Sequence, residues 1–121
     1  MATFKPFKAL RPRPDLVELV ASRPYDVLDS AEAKSEAEGN PHSFLRVIKP
    51  EIDLPEGIDP YSDEVYDKGR ENFSGLCREE IFRQDSDPSF YLYRLTMNGR
   101  PQVGLVGCCD YREYYEGRIK K

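Results

Sequence analysis

The strongest constraint on this chain is the run from Ser62 to Ile81. Within it Val65, Tyr66, Gly69, Phe73, Leu76, Cys77 and Ile81 recur at steps of three and four. That period places them on one face of a long amphipathic helix, and such a face must be buried against something. The second constraint is Asn98-Gly99, which lies between the alternating runs 90–97 and 102–111. Asn-Gly supplies the two positive φ angles of a type I′ turn and so joins the runs as an antiparallel hairpin.

Weaker signals fill in the first half. Lys residues alternate with apolar ones over 4–10, which predicts a first strand before Pro12 and Pro14 interrupt any ladder. Pro14 suits the first turn of a short helix over 15–22, with Asp15 and Glu18 near its positive end. Residues 25–28 read as a short buried strand. Asp29 or Ser30 caps a second short helix through Ala31, Ala33 and Ala37, with Gly39-Asn40 as the left-handed stop. Residues 43–48 read as the next strand. Residues 49–61 hold Pro50, Pro55, Gly57 and Pro60 among acids and read as a surface loop longer than usual, a kind of loop that is often functional.

The expected fold is therefore α+β: a mixed sheet of about five strands, ending in the antiparallel hairpin, packed against one long and two short helices. A chain of 121 residues has room for a single domain. Its hydrophobic fraction is 39% and its charged fraction 33%, against about 25% charged in ordinary globular chains. With residues 111–121 reading as the start of another segment, this points to an N-terminal fragment truncated from a longer protein. Truncation would leave strand edges uncovered, so self-association through them is expected.

Charge and cysteine usage narrow the functional classes. Residues 1–24 carry five bases and two acids, residues 25–67 three bases and twelve acids, and the rest ten bases and eight acids. The acidic middle repels phosphate, so nucleic acid is not an expected partner unless through the tyrosines and bases of 111–121, where Glu113 and Glu116 oppose it. The longest apolar run, 103–109, is too short to span a bilayer, and Lys5, Lys8, Arg11 and Arg13 break up any leader, which leaves the cytoplasm as the default. Cys77 stands alone, and Cys108 and Cys109 are adjacent on a strand and point to opposite faces. No metal site is expected, and all three thiols should be free and structural.

Two loops carry candidate chemistry. Tyr25 and Asp26 sit at a strand mouth, where a carboxylate can hold a ligand hydroxyl or cap a turn. Asn40, His42 and Ser43 include the chain's one histidine, a possible general base, although Asn40 and Ser43 also suit a turn. Both loops are expected to converge on one pocket. A phosphorylated ligand there would meet Asp26 through a divalent metal or a sugar hydroxyl, with Arg11, Arg13 or Arg23 taking the phosphate. Gly104 and Gly107 belong to no phosphate-binding loop motif, so no cofactor is named; inside a strand they mark a bulge or a close approach.

Several stretches together resemble the N-terminal part of the domain-of-unknown-function family 1015. They are residues 4–12, Pro24-Tyr25-Asp26-Val27, Asn40-Pro41-His42-Ser43-Phe44-Leu45, Phe90-Tyr91-Leu92-Tyr93, and 104–111 followed by Gly117-Arg118-Ile119-Lys120. Members are described as similar to chromosome-partition proteins of the ParB and SpoOJ kind, whose N-terminal α/β domain binds a nucleotide and one of whose relatives phosphorylates serine. The Gly with paired Arg that holds phosphate in that group has no clear counterpart here, so no catalytic residue carries over. The resemblance implies a module for a small anionic or nucleotide-like ligand. The alternatives are half of a phosphoryl-transfer or hydrolytic site, and a module recognising protein or single-stranded nucleic acid.

Overall fold

The computed structural model describes residues 2–120; Lys121, at the end of the segment expected to begin a further element, lies outside the described residues. The described residues form six short strands and five α-helices in two compact units, one of residues 11–83 and the other of the described residues before 11 and after 83. Among the described residues no helix is long and apolar enough to cross a membrane.

The central unit is mostly helical. Helix α1 spans Val17–Val20, α2 Ser30–Glu36, α3 Leu45–Ile48 and α4 Asp63–Arg78. Helix α2 starts with a capping box: the Asp29 carboxylate accepts from the Glu32 N–H at 2.7 Å while Glu32 accepts from the Asp29 N–H at 3.0 Å. Gly39, at φ +69°, turns the chain out of it. Leu28, Ala33, Ala37, Leu45 and Ile52 bury together, and Val20, Leu76 and Ile81 form a second cluster with Leu16, Phe44, Val47 and Phe82. Val65, Gly69 and Leu76 are the buried positions of α4, the face that its periodicity marks. At Gly69 a Cβ would lie 3.1 Å from the Val47 carbonyl oxygen and 3.2 Å from Pro50 Cγ, a tight fit that glycine relieves where α4 meets this segment.

The strand assignments need correction. In place of a five-stranded sheet the described residues form three two-stranded ones: β1 (Phe4–Lys5) with β6 (Cys108–Cys109), β2 (Leu10–Pro12) with β3 (Phe82–Gln84), and β4 (Tyr91–Met97) with β5 (Arg100–Val106). Residues 25–27, expected as a strand, form a 3-10 turn, and residues 45–48 form α3. Both runs satisfy their backbone locally, as in Val27 N–H to Pro24 C=O at 3.3 Å and Ile48 N–H to Phe44 C=O at 3.1 Å, so neither has a ladder to join. The expected helix over 15–22 shrinks to Val17–Val20, and the 49–61 loop contains a 3-10 turn at Pro50–Asp53.

The other unit is built around the hairpin. Asn98 and Gly99 take φ of 51° and 74°, and Met97 faces Arg100 across the turn. The Phe4 ring stacks on Phe90 at 5.2 Å and also covers Gly107, where a Cβ would fall 2.6 Å from it, which explains that glycine as a close approach. Tyr91 Oη accepts from the Ala9 N–H at 2.9 Å and lies 2.6 Å from Asp85 Oδ2. Buried Glu113, in helix α5 (Tyr111–Tyr115), holds the Thr3 N–H at 2.7 Å and its hydroxyl at 3.0 Å. Cys77, Cys108 and Cys109 are free, but the last two are exposed, so burial does not account for them. Among the described residues every buried hydrophobic side chain belongs to the central unit.

Candidate functional site

Helix α4 and the segment from α3 through the following 3-10 turn leave a cleft of about 580 Å³ between them, to which Tyr25, Pro60 and Tyr61 also contribute. That volume is in the range of small-ligand sites. Val47, Ile48, Pro50 and Phe73 make its apolar lining. Three tyrosines, Tyr25, Tyr61 and Tyr66, stand around it with 64%, 81% and 60% of their surfaces exposed. Exposed aromatic rings beside an apolar hollow offer faces on which a planar group can stack.

Charge in the cleft is mixed. Lys49 Nζ lies 3.3 Å from Glu51 Oε1, and the Ser30 hydroxyl donates to the same carboxylate oxygen at 2.9 Å. Arg70 pairs with Asp67 at 3.0 Å, with both side chains largely exposed. An exposed pair of this kind contributes little to stability on its own. Lys49 and Arg70 are therefore the cations that a negatively charged ligand in the cleft would meet.

Of the sequence candidates, the cleft takes Tyr25. Asp26 is exposed in the same 3-10 turn. Asn40, His42 and Ser43 do not line the cleft. They build the turn between α2 and α3: Asn40 Nδ2 donates to the Leu19 carbonyl at 2.7 Å, its Oδ1 accepts from the His42 N–H at 3.1 Å, and buried Ser43 Oγ accepts from the Leu45 N–H at 3.3 Å. The His42 Nδ1 atom is buried in that turn without a protein partner. Arg13 makes a two-pronged pair with Asp15 at 3.0 and 2.6 Å, which lowers the Asp15 carboxyl below its ordinary range. Arg23 grips Glu36 Oε2 at 2.9 and 2.6 Å, and the hydrogen bond raises the Arg23 guanidinium above its ordinary value. Arg11 is exposed in β2. A phosphate reaching Arg13 or Arg23 would have to displace a carboxylate already bound.

The residue that organises this unit is Arg46, which the sequence reading did not single out. Its Nε donates to the Asn40 carbonyl at 3.0 Å and Nη2 to the Ala37 carbonyl at 2.9 Å, while Nη1 pairs with Asp53. Asn72 Nδ2 on α4 closes the network, donating to the Arg46 carbonyl at 2.7 Å and to Asp53 Oδ2 at 2.9 Å. The guanidinium thus ties the end of α2, the 40–43 turn and the 3-10 turn together, and Asn72 joins α4 to them through the Arg46 carbonyl and Asp53. Val47, Ile48 and Lys49, which line the cleft, follow it directly.

Tyr25 and the 49–61 loop, both marked in the sequence, contribute to the cleft lining. The sequence pattern places Tyr66 on the apolar face of α4 without separating it from the buried positions. Among the described residues no three side chains of His, Cys, Asp or Glu gather as a metal site. No curated protein and no solved structure matches the chain. Residues 4–121, with the stretches around Tyr25 and Asn40 among them, match the family described as protein of unknown function (DUF1015), and the chain belongs to that family.

Proposed function

We propose that the central unit binds a small ligand with a planar ring and an anionic group, of which a nucleotide is the type case. The cleft walled by Tyr25, Tyr61 and Tyr66, with Lys49 and Arg70 beside them, carries this reading. Rings of tyrosine accept a base or similar plane, at about 1–3 kcal/mol for each stacked base. Lys49 and Arg70 offer positive charge to an anionic group that displaces Glu51 or Asp67 from them.

Thermal unfolding of the chain with AMP, ATP and glucose 6-phosphate tests it. A ligand at a hundred times its Kd stabilises by about 2.7 kcal/mol, enough to raise a small domain's midpoint by several degrees. The expected order places nucleotides above the sugar phosphate, with the effect lost in Tyr66→Ala. Equal shifts by all three, or shifts that survive Tyr66→Ala, would remove the tyrosine cleft from the account.

A further inference from the structure

The hairpin β4–β5 stands as a two-stranded sheet with both outer edges open among the described residues. Met97 and Arg100 flank the two-residue turn and form a hydrogen-bonded pair, and such pairs alternate along the ladder. The N–H and C=O groups of Leu92, Arg94 and Thr96 on β4 therefore face outward, as do those of Val103 and Leu105 on β5. The outward position of Pro101 has no N–H, so β5 is the blunted edge. The β4 edge is complete.

The side chains beside that edge are unusual. Leu92 and Met97 are each 76% exposed, and Tyr93 and Leu95 are more than half exposed. From 88 to 109 the chain contains Arg94 and Arg100 and no acid. Arg13, Arg23, Arg46, Arg70, Arg83, Arg112 and Arg118 each pair with a nearby carboxylate, whereas Arg78, Arg94 and Arg100 make no ion pair among the described residues, and the last two lie on the hairpin. A second copy fits poorly: the antiparallel register that overlaps all of β4 with itself sets Arg94 against Arg94, a destabilising like-charge pair.

From the open ladder and the unpaired cation at its centre we infer that the β4 edge receives an extended polypeptide segment of a partner, added as a third strand. Its central acidic residue sits against Arg94, and its alternate residues are apolar. The backbone of Leu92, Arg94 and Thr96 supplies the affinity of such strand addition, and the carboxylate sets register and choice of partner. This inference is independent of the cleft in the central unit.

The test is amide hydrogen exchange on the whole chain with a capped peptide Val-Thr-Val-Glu-Val-Thr-Val and its counterpart carrying Lys for Glu. The Glu peptide should protect the Leu92, Arg94 and Thr96 amides, and the Lys peptide should bind roughly threefold or more weakly, as cross-strand charge pairs allow. Arg94→Glu, an exposed change that leaves the hairpin folded, should reverse that preference. Absence of protection, equal protection by both peptides, or protection confined to Val103 and Leu105 would overturn the inference. So would protection of the β4 amides without peptide that grows with chain concentration, which would make a second copy the occupant.

Discussion

Replacing Arg46 by Met should loosen the central unit more than any other single change to a polar residue. Methionine keeps most of the apolar stem but removes the bonds to the Ala37 and Asn40 carbonyls and the pairing with Asp53. Removing one partner from a fully buried ion pair costs about 3–5 kcal/mol. The Arg46 and Asp53 side chains are 26% and 16% exposed, so water recovers part of this. Asn72 also remains on Asp53 Oδ2 at 2.9 Å. The expected loss is about 2–4 kcal/mol, which in a small domain lowers the urea midpoint by roughly 1–3 M. Asp53→Asn on top of Arg46→Met removes the stranded charge and should recover about 1 kcal/mol, so the two changes are not additive. Arg46→Lys keeps the charge without the planar fork and should fall between wild type and Met. Urea unfolding of five proteins, wild type, Arg46→Met, Asp53→Asn, the double variant and Arg46→Lys, decides it. A loss under about 1 kcal/mol for Arg46→Met, or strict additivity with Asp53→Asn, would refute the role assigned to the guanidinium.

Asp110 caps α5 and is held to about 2, against an ordinary 3.8, by its hydrogen bonds from the Arg112 side chain and N–H. Because the folded value is depressed, the cap's contribution is complete above 3.8 and disappears as pH falls through about 2; a carboxyl carbon titration by NMR with a midpoint near 3.8 would contradict it. Thiol titration under native conditions should show two fast groups, Cys108 and Cys109, and a slower one, half-buried Cys77, with no disulfide; equal rates for all three would be inconsistent with the burial pattern. Gly69→Ala should destabilise despite the better helix propensity of alanine, by about 1 kcal/mol net, because the Val47 carbonyl and the rigid Pro50 ring cannot both yield. A more stable Gly69→Ala protein in thermal melts would show that α4 has room to shift.

The elements legible in the sequence were those that carry their own geometry. Residues 62–81 repeat their apolar positions over five turns, and Asn98-Gly99 demands a backbone that few other turns use. The Asp29 cap and the Gly39 stop were equally local. The 43–48 run misled because a short apolar run fits a strand or a buried helix equally well. Its apolar positions, Phe44, Leu45, Val47 and Ile48, in fact follow helical spacing, with Arg46 left between them as the sign of a polar tie. Tyr25 was legible from its loop, but its partners Tyr61 and Tyr66 lie on two other elements, and only folding brings the three to one cleft. The 40–43 turn looked like chemistry because histidine, serine and asparagine serve both catalysis and turn building, and their hydrogen bonds here go to backbone.

The most direct test of the cleft is a titration of the isotope-labelled chain with AMP, followed by amide chemical shifts. Binding as described moves the signals of Lys49, Tyr66, Gly69 and Arg70 together along one saturable curve, while Asn40, His42 and Ser43 stay in place. Shifts confined to the 40–43 turn, or none up to millimolar AMP, would contradict the account.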